Sequence, residues 1–201
     1  MQNANNAQLR FSMVKQRHRK TFEEALAKGL VDRQLIPICK FISKQREFFT
    51  SSGCAGRILL ICLPKGEEKK EAFFVAKWHR KVKFSELKEA LAKECNNELW
   101  FKQEPFILHI GTNTIENARK ILKIAKKAGI KRGGIMHLGL GKIMIELVGT
   151  QYLSLPIKKG KKLLADDRFI KFILQKANKK LEKNYERLKK FERILISELS
   201  P

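Results

Sequence analysis

Between Leu99 and Leu147 the hydrophobic pattern switches from strand to helix and back, and this constrains the fold more tightly than any other stretch. Leu99 to Ile110 reads as strand on both sides of Pro105. Proline removes a ladder donor, so Glu104-Pro105 marks an edge, a bulge or the entrance to a central strand. Ile115, Ala118, Ile121, Leu122, Ala125 and Ala128 then recur at helical spacing from Thr114, and Gly129 supplies the stop. Strands follow at Ile135–Leu140 and Lys142–Leu147, joined near Gly139 and Gly141, where a hairpin turn needs glycine. Strand, helix, strand, strand implies an α+β fold: an open mixed β-sheet with helices packed on it.

The flanks extend this plan. Leu9, Met13, Phe22, Leu26 and Leu30 predict a first helix closed by Gly29, and Asp32 is expected to cap a second helix carrying Ile36, Ile38, Phe41 and Ile42. Pro37 falls in the first turn of that helix, where proline is tolerated. Small residues crowd Phe48 to Arg57, which reads as a loop ahead of the strand Arg57–Leu63. A turn over Gly66–Lys70 and a returning strand over Ala72–Trp78 make a hairpin, and Ser85 is expected to cap the next helix. A long amphipathic helix from about Asp166 to Leu199 carries the stripe Leu174, Ala177, Leu181, Tyr185, Leu188, Phe191, Leu195. The expectation is a single domain of residues 1–201, with residues 1–8 flexible and that last helix packed on the body.

A net charge of +23 makes a polyanion the natural partner, with nucleic acid ahead of a membrane surface. No apolar run approaches the roughly 20 residues that span a bilayer, and the polar Met1–Ala7 segment lacks a signal-peptide core. A soluble, cytoplasmic protein is expected. The four cysteines show no Cys-x-x-Cys spacing, and Cys39 and Cys62 lie in apolar runs as small hydrophobes. Neither a metal site nor a disulfide framework is expected. Rossmann, P-loop and His-Glu-x-x-His signatures are absent.

What remains for chemistry is a scattered set: Asp32, Ser52, Cys54, Arg57, His79, Trp100, Glu104 and His109. They come from loop mouths and strand ends, where the residues of a cleft belong in an open sheet. Thr50, Ser51 and Ser52 offer hydroxyls, and Arg57 a planar fork suited to carboxylate or phosphate. The ordinary reading of the same residues is a turn followed by a solvated arginine. His79, beside Trp78, is a structural histidine or a ligand contact. Lys15, Arg17, His18, Arg19 and Lys20 form either a solvated helix face or a phosphate-binding one.

The order of residues adds a resemblance. Thr50-Ser51-Ser52-Gly53-Cys54-Ala55-Gly56-Arg57-Ile58 resembles the Ser-Ser-Cys-Ser-Gly-Arg signature of the tRNA wybutosine-synthesising protein 3 family, with Gly53 and Ala55 where serines are common. Leu99 to His109 is similar to a second, more specific signature. Val31-Asp32, Trp78-His79, Gly133-Gly134-Ile135 and Ala177-Asn178 are lesser matches, while Ser43 stands where the family tends to carry Asn. The likeness to an archaeal member runs from about residue 20 to residue 195.

The resemblance implies an S-adenosylmethionine-dependent methyltransferase. Its substrate would be the N4 ring nitrogen of a wyosine-type tricyclic guanosine derivative 3′ to the anticodon of phenylalanine tRNA. On that reading Asp32, Glu104 and His109 are the acid–base candidates, and Ser51, Ser52, Cys54, Gly56 and Arg57 bind the cofactor. His79 and Trp100 meet the base, and Arg17 and Lys20 meet tRNA phosphates. A basic nucleic-acid-binding protein without catalysis is the alternative, and the oligomeric state stays open.

Overall fold

A computed structural model describes residues 2–64 and 72–200. The elements run α1 (Gln2–Ala27), α2 (Ile36–Lys44), β1 (Phe48–Cys54), β2 (Arg57–Leu63), β3 (Phe73–Trp78), α3 (Phe84–Ala92), β4 (Glu98–Glu104) and β5 (Ile107–Thr112). They continue α4 (Ile115–Lys127), β6 (Arg132–Gly139), β7 (Lys142–Val148), β8 (Leu153–Lys159), β9 (Lys162–Leu163) and α5 (Asp167–Leu199). The turn predicted over Gly66–Lys70 lies outside the described residues. Residues 1–55, 106–150 and 185–201 form one compact unit; residues 56–105 and 151–184 form the second.

The first unit contains the expected strand–helix–strand–strand arrangement. Its sheet has the order β1-β5-β7-β6, with every neighbouring pair antiparallel. Thr114 Oγ1 accepts from the Asn117 amide at 3.2 Å to start α4, and Gly129, at φ 81°, ends it. One face of the sheet buries Phe48, Leu108, Ile110 and Ile145 with Ile38 and Ile42 of α2, Ile121 and Ile124 of α4, and Leu188, Phe191 and Leu195 of α5. Phe49 and Met144 point to the opposite face, where Phe11 and Val14 of α1 pack on them. A Cβ on Gly111 would lie 2.0 Å from the Phe49 ring, so that strand position has room for glycine alone.

The second unit is built on a sheet of order β3-β2-β4-β8-β9, also antiparallel throughout. Ile58, Leu60, Leu99 and Phe101 of the strands are buried, as are Leu87 and Leu91 of α3 and Ile170, Leu174 and Ala177 of α5. The Asn178 carboxamide donates to the Val82 carbonyl and accepts its amide, at 2.9 and 3.0 Å. Buried Lys158 donates to the Leu91 and Lys93 carbonyls at the end of α3, both at 3.0 Å, satisfying groups the helix leaves open.

The α+β class and the long last helix are as expected. Helices pack on sheet, but the strands divide between two antiparallel sheets rather than one mixed one. Pro105 is the reason: it interrupts Leu99–Ile110, sending β4 into one sheet and β5 into the other. Three local expectations are corrected. Leu35, not Asp32, occupies the N-cap of α2, and Lys83, not Ser85, that of α3, where the Glu86 carboxylate accepts the Lys83 amide at 2.9 Å. The small-residue stretch is a strand, because β1 finds a partner in β5 and takes up its irregularity as a register shift between Thr50 and Ser52. Finally, Cys62 and Cys95 form a disulfide with Cα atoms 5.8 Å apart, so Cys62 is not a lone buried hydrophobe.

Candidate functional site

In the first unit the residues of β1 sit between two polar anchors. Asp32, in the turn before α2, accepts the Ala55 amide through Oδ2 at 2.7 Å, fastening the end of the small-residue stretch. Ser52 Oγ lies 2.8 Å from His109 Nδ1 on β5, and His109 Nε2 lies 3.0 Å from Glu146 Oε2 on β7. Ser51 and Cys54 are half-buried and Ser52 is exposed. Burial, reinforced by the charges of Asp32 and Cys54, pushes the Tyr185 hydroxyl up to about 12 and keeps it a proton donor.

The basic face of α1 divides in two. Arg17 and Lys20 are exposed, but Lys15 turns its ammonium to the Gln45 and Arg46 carbonyls, and Arg19 pairs with Glu23 at 2.9 Å. The His18 ring stacks on Phe49 with centroids 4.9 Å apart. Burial, then the charges of Arg17 and Lys142, lower its pKa, so the ring is neutral at pH 7.

In the second unit Arg57 Nε donates to Glu104 Oε2 at 2.6 Å across the β2–β4 pair. The guanidinium also lies 5.3 Å from the centroid of the half-exposed Phe74 ring. Trp100 has Lys102 5.5 Å from its ring, and its indole N–H has no hydrogen-bond partner among the described residues. His79 follows β3 and is half-buried. Gly56 has φ 100°, and a Cβ there would stand 2.8 Å from Asn184 Nδ2 and 3.0 Å from the Glu104 carbonyl. Asn184 is fully buried, yet neither its Nδ2 nor its Oδ1 has a partner among the described residues, and Gln103 Oε1 shares that state.

Of the predicted residues, Asp32, Ser51, Ser52, Cys54 and His109 thus fall in the first unit, with Arg17 and Lys20 on its outer helix. Gly56, Arg57, His79, Trp100 and Glu104 fall in the second. Ser52 is joined to His109, and Arg57 to Glu104, by hydrogen bonds.

Residues 10–197 match the family model described as Methyltransferase TYW3. The chain belongs to that family. It is 31% identical over 182 residues to a Thermococcus sibiricus protein named "tRNA(Phe) 7-((3-amino-3-carboxypropyl)-4-demethylwyosine(37)-N(4))-methyltransferase", covering 90% of this chain and 92% of that one. A Pyrococcus horikoshii protein of the same name, numbered 1, is likewise 31% identical over 182 residues, covering 90% and 93%. A solved structure of a Pyrococcus horikoshii protein superposes with a TM-score of 0.88 at 30% identity, over 96% of this chain and 97% of that one.

As a TYW3-family methyltransferase the chain uses a methyl donor. Three residues of interest in this family member escaped the sequence reading. In sequence Tyr185 and Asn184 are ordinary positions of a long amphipathic helix, and Glu146 is the polar member of an alternating strand. Only pairing and burial single them out.

No helix among the described residues is long and apolar enough to cross a membrane.

Proposed function

We propose that this chain transfers the methyl group of S-adenosylmethionine to the N4 ring nitrogen of a wyosine-type tricyclic base in phenylalanine tRNA, 3′ to the anticodon, in the cytoplasm. The supporting observation is that relatives matched over nine-tenths of the chain carry that reaction in their names. S-adenosylmethionine supplies a methyl group already activated by its sulfonium, which leaves alignment, exclusion of water and removal of a proton to the protein.

The residues present fit such a cofactor. Buried polar atoms left without partners cost free energy unless a ligand completes them. The Asn184 carboxamide offers both a donor and an acceptor of the kind that read an adenine edge, and Gln103, whose Nε2 donates to the Glu104 carbonyl, offers its Oε1 as an acceptor. Gly56 keeps the backbone beside Asn184 clear of any side chain. We assign Arg57, steadied by Glu104, to the cofactor's carboxylate, and Ser51 and Cys54 to its polar atoms. Trp100 and His79 receive the tricyclic base, and Arg17 and Lys20 the anticodon-stem phosphates. Asp32 is committed to the Ala55 amide and holds the strand end in place.

Incubating the protein with a labelled methyl donor and tRNA carrying the demethylwyosine precursor tests this. Label in the tricyclic base is the expected result. Binding to that tRNA with neither label transfer nor a melting shift on adding S-adenosylmethionine would leave a nucleic-acid-binding module instead.

A further inference from the structure

Ser52, His109 and Glu146 stand in line across three neighbouring strands of the first unit. The register puts Ser52 opposite His109 and His109 opposite Glu146, so all three side chains leave the same face of the sheet. Further along the same face, Gly111 and Met144 lie two residues on, and Phe49 three residues on because of the register shift in β1, all beneath α1. Beyond Glu146 comes Gly134 of β6, where a Cβ would meet nothing within 4 Å. Open ground therefore borders the three residues on that side, and the exposed Ser52 ends the line on the other.

The donors and acceptors fix the direction of this chain. An ionised carboxylate can only accept, so His109 Nε2 carries hydrogen towards Glu146 at 3.0 Å. That leaves Nδ1 as a lone-pair acceptor, and Ser52 Oγ–H donates to it at 2.8 Å. A hydroxyl backed by an imidazole, itself oriented by a carboxylate, is an arrangement that moves a proton.

We propose that Ser52, His109 and Glu146 are the proton relay of methyl transfer. The inference rests on the reaction proposed above and reassigns Ser52 from the cofactor to the accepting nitrogen. As the nitrogen–carbon bond forms and the carbon–sulfur bond breaks, its electron pair stays on sulfur. The nitrogen's proton passes to Ser52 Oγ while the serine proton passes to His109 Nδ1. The imidazolium so formed is balanced by Glu146, and the donor leaves as a neutral thioether. Ser52 is the catalytic residue in this scheme; His109 is the base behind it, and Glu146 a positioning residue.

The test measures single-turnover methyl transfer to precursor tRNA, S-adenosylmethionine affinity by calorimetry, and the His109 ring nitrogens by NMR. Wild type shows the Nε2–H tautomer, and Glu146→Gln mixes the two tautomers. His109→Gln lowers the transfer rate by about 10²–10³ and Glu146→Gln by about tenfold, with cofactor affinity unchanged. Ser52→Ala loses rate as His109→Gln does, whereas Ser52→Thr, which keeps the hydroxyl, retains it. Because Ser52 is exposed, this pair decides the matter even if a histidine variant fails to fold. Equal rates for wild type and Ser52→Ala overturn the relay alone. A wild type that transfers no methyl group overturns the proposed function and the relay with it.

Discussion

Cys39 shows what burial does to one titratable group. Its surroundings push the thiol up to about 11, against a weaker opposing hydrogen bond from Thr50. Unfolding releases it to ionise near 9, so its contribution to stability is full below that pH and lost as pH rises towards 11. Urea unfolding between pH 8 and 11 should show a shallower decline for Cys39→Ala than for wild type. Asn184 makes the opposite case, a buried amide whose polar atoms lack partners among the described residues. Replacing it by leucine removes a desolvation cost of about 1–3 kcal/mol, so Asn184→Leu should melt higher than wild type without ligand. The same variant should lose the melting shift that S-adenosylmethionine induces. A purely structural Asn184 would instead make the leucine variant melt lower.

At the scale of elements, most boundaries were legible because they rest on local chemistry. Thr114 and Gly129 bracket α4, Gly29, at φ 65°, closes α1, and Gly141, at φ 62°, turns the β6–β7 hairpin. The failures came where a partner distant in sequence decides. β1 opens on the strand-favouring Phe48, Phe49 and Thr50, but its second half, Ser51-Ser52-Gly53, carries no strand pattern of its own and is a strand through β5. Cys62 and Cys95 are separated by 33 residues, and no spacing rule connects them. Their bond ties β2 to the chain just after α3, whose last carbonyls Lys158 also holds. Closing a loop of that length is worth roughly 3–4 kcal/mol in the chain-entropy model. Cys95→Ala, or wild type under reductant, should unfold at correspondingly lower urea, and an unchanged midpoint would show the bond to be energetically idle.

For the whole molecule, the charge of +23 sets the electrostatics of association, while the structure narrows which cations can take part. On α1, Lys15 and Arg19 are engaged within the protein, but Arg17 and Lys20 face solvent. If these two meet phosphates, the double substitution Arg17→Glu with Lys20→Glu should reduce the slope of log affinity for tRNA against log salt by about 2. Cofactor binding should be unchanged. A slope equal to that of wild type would return both residues to the solvated surface.

The sequence by itself determined the helices with strong 3.6-residue periodicity, the β6–β7 hairpin turn, the break at Pro105 and the family, because each is written in neighbouring residues or in ordered signatures. Tertiary structure alone decided that the strands form two sheets and that Cys62 finds Cys95. It also decided that Arg57 is held by Glu104, and that His109 stands between Ser52 and Glu146. Strand pairing and side-chain burial join residues tens of positions apart, and nothing in a local pattern encodes which strand will be the neighbour.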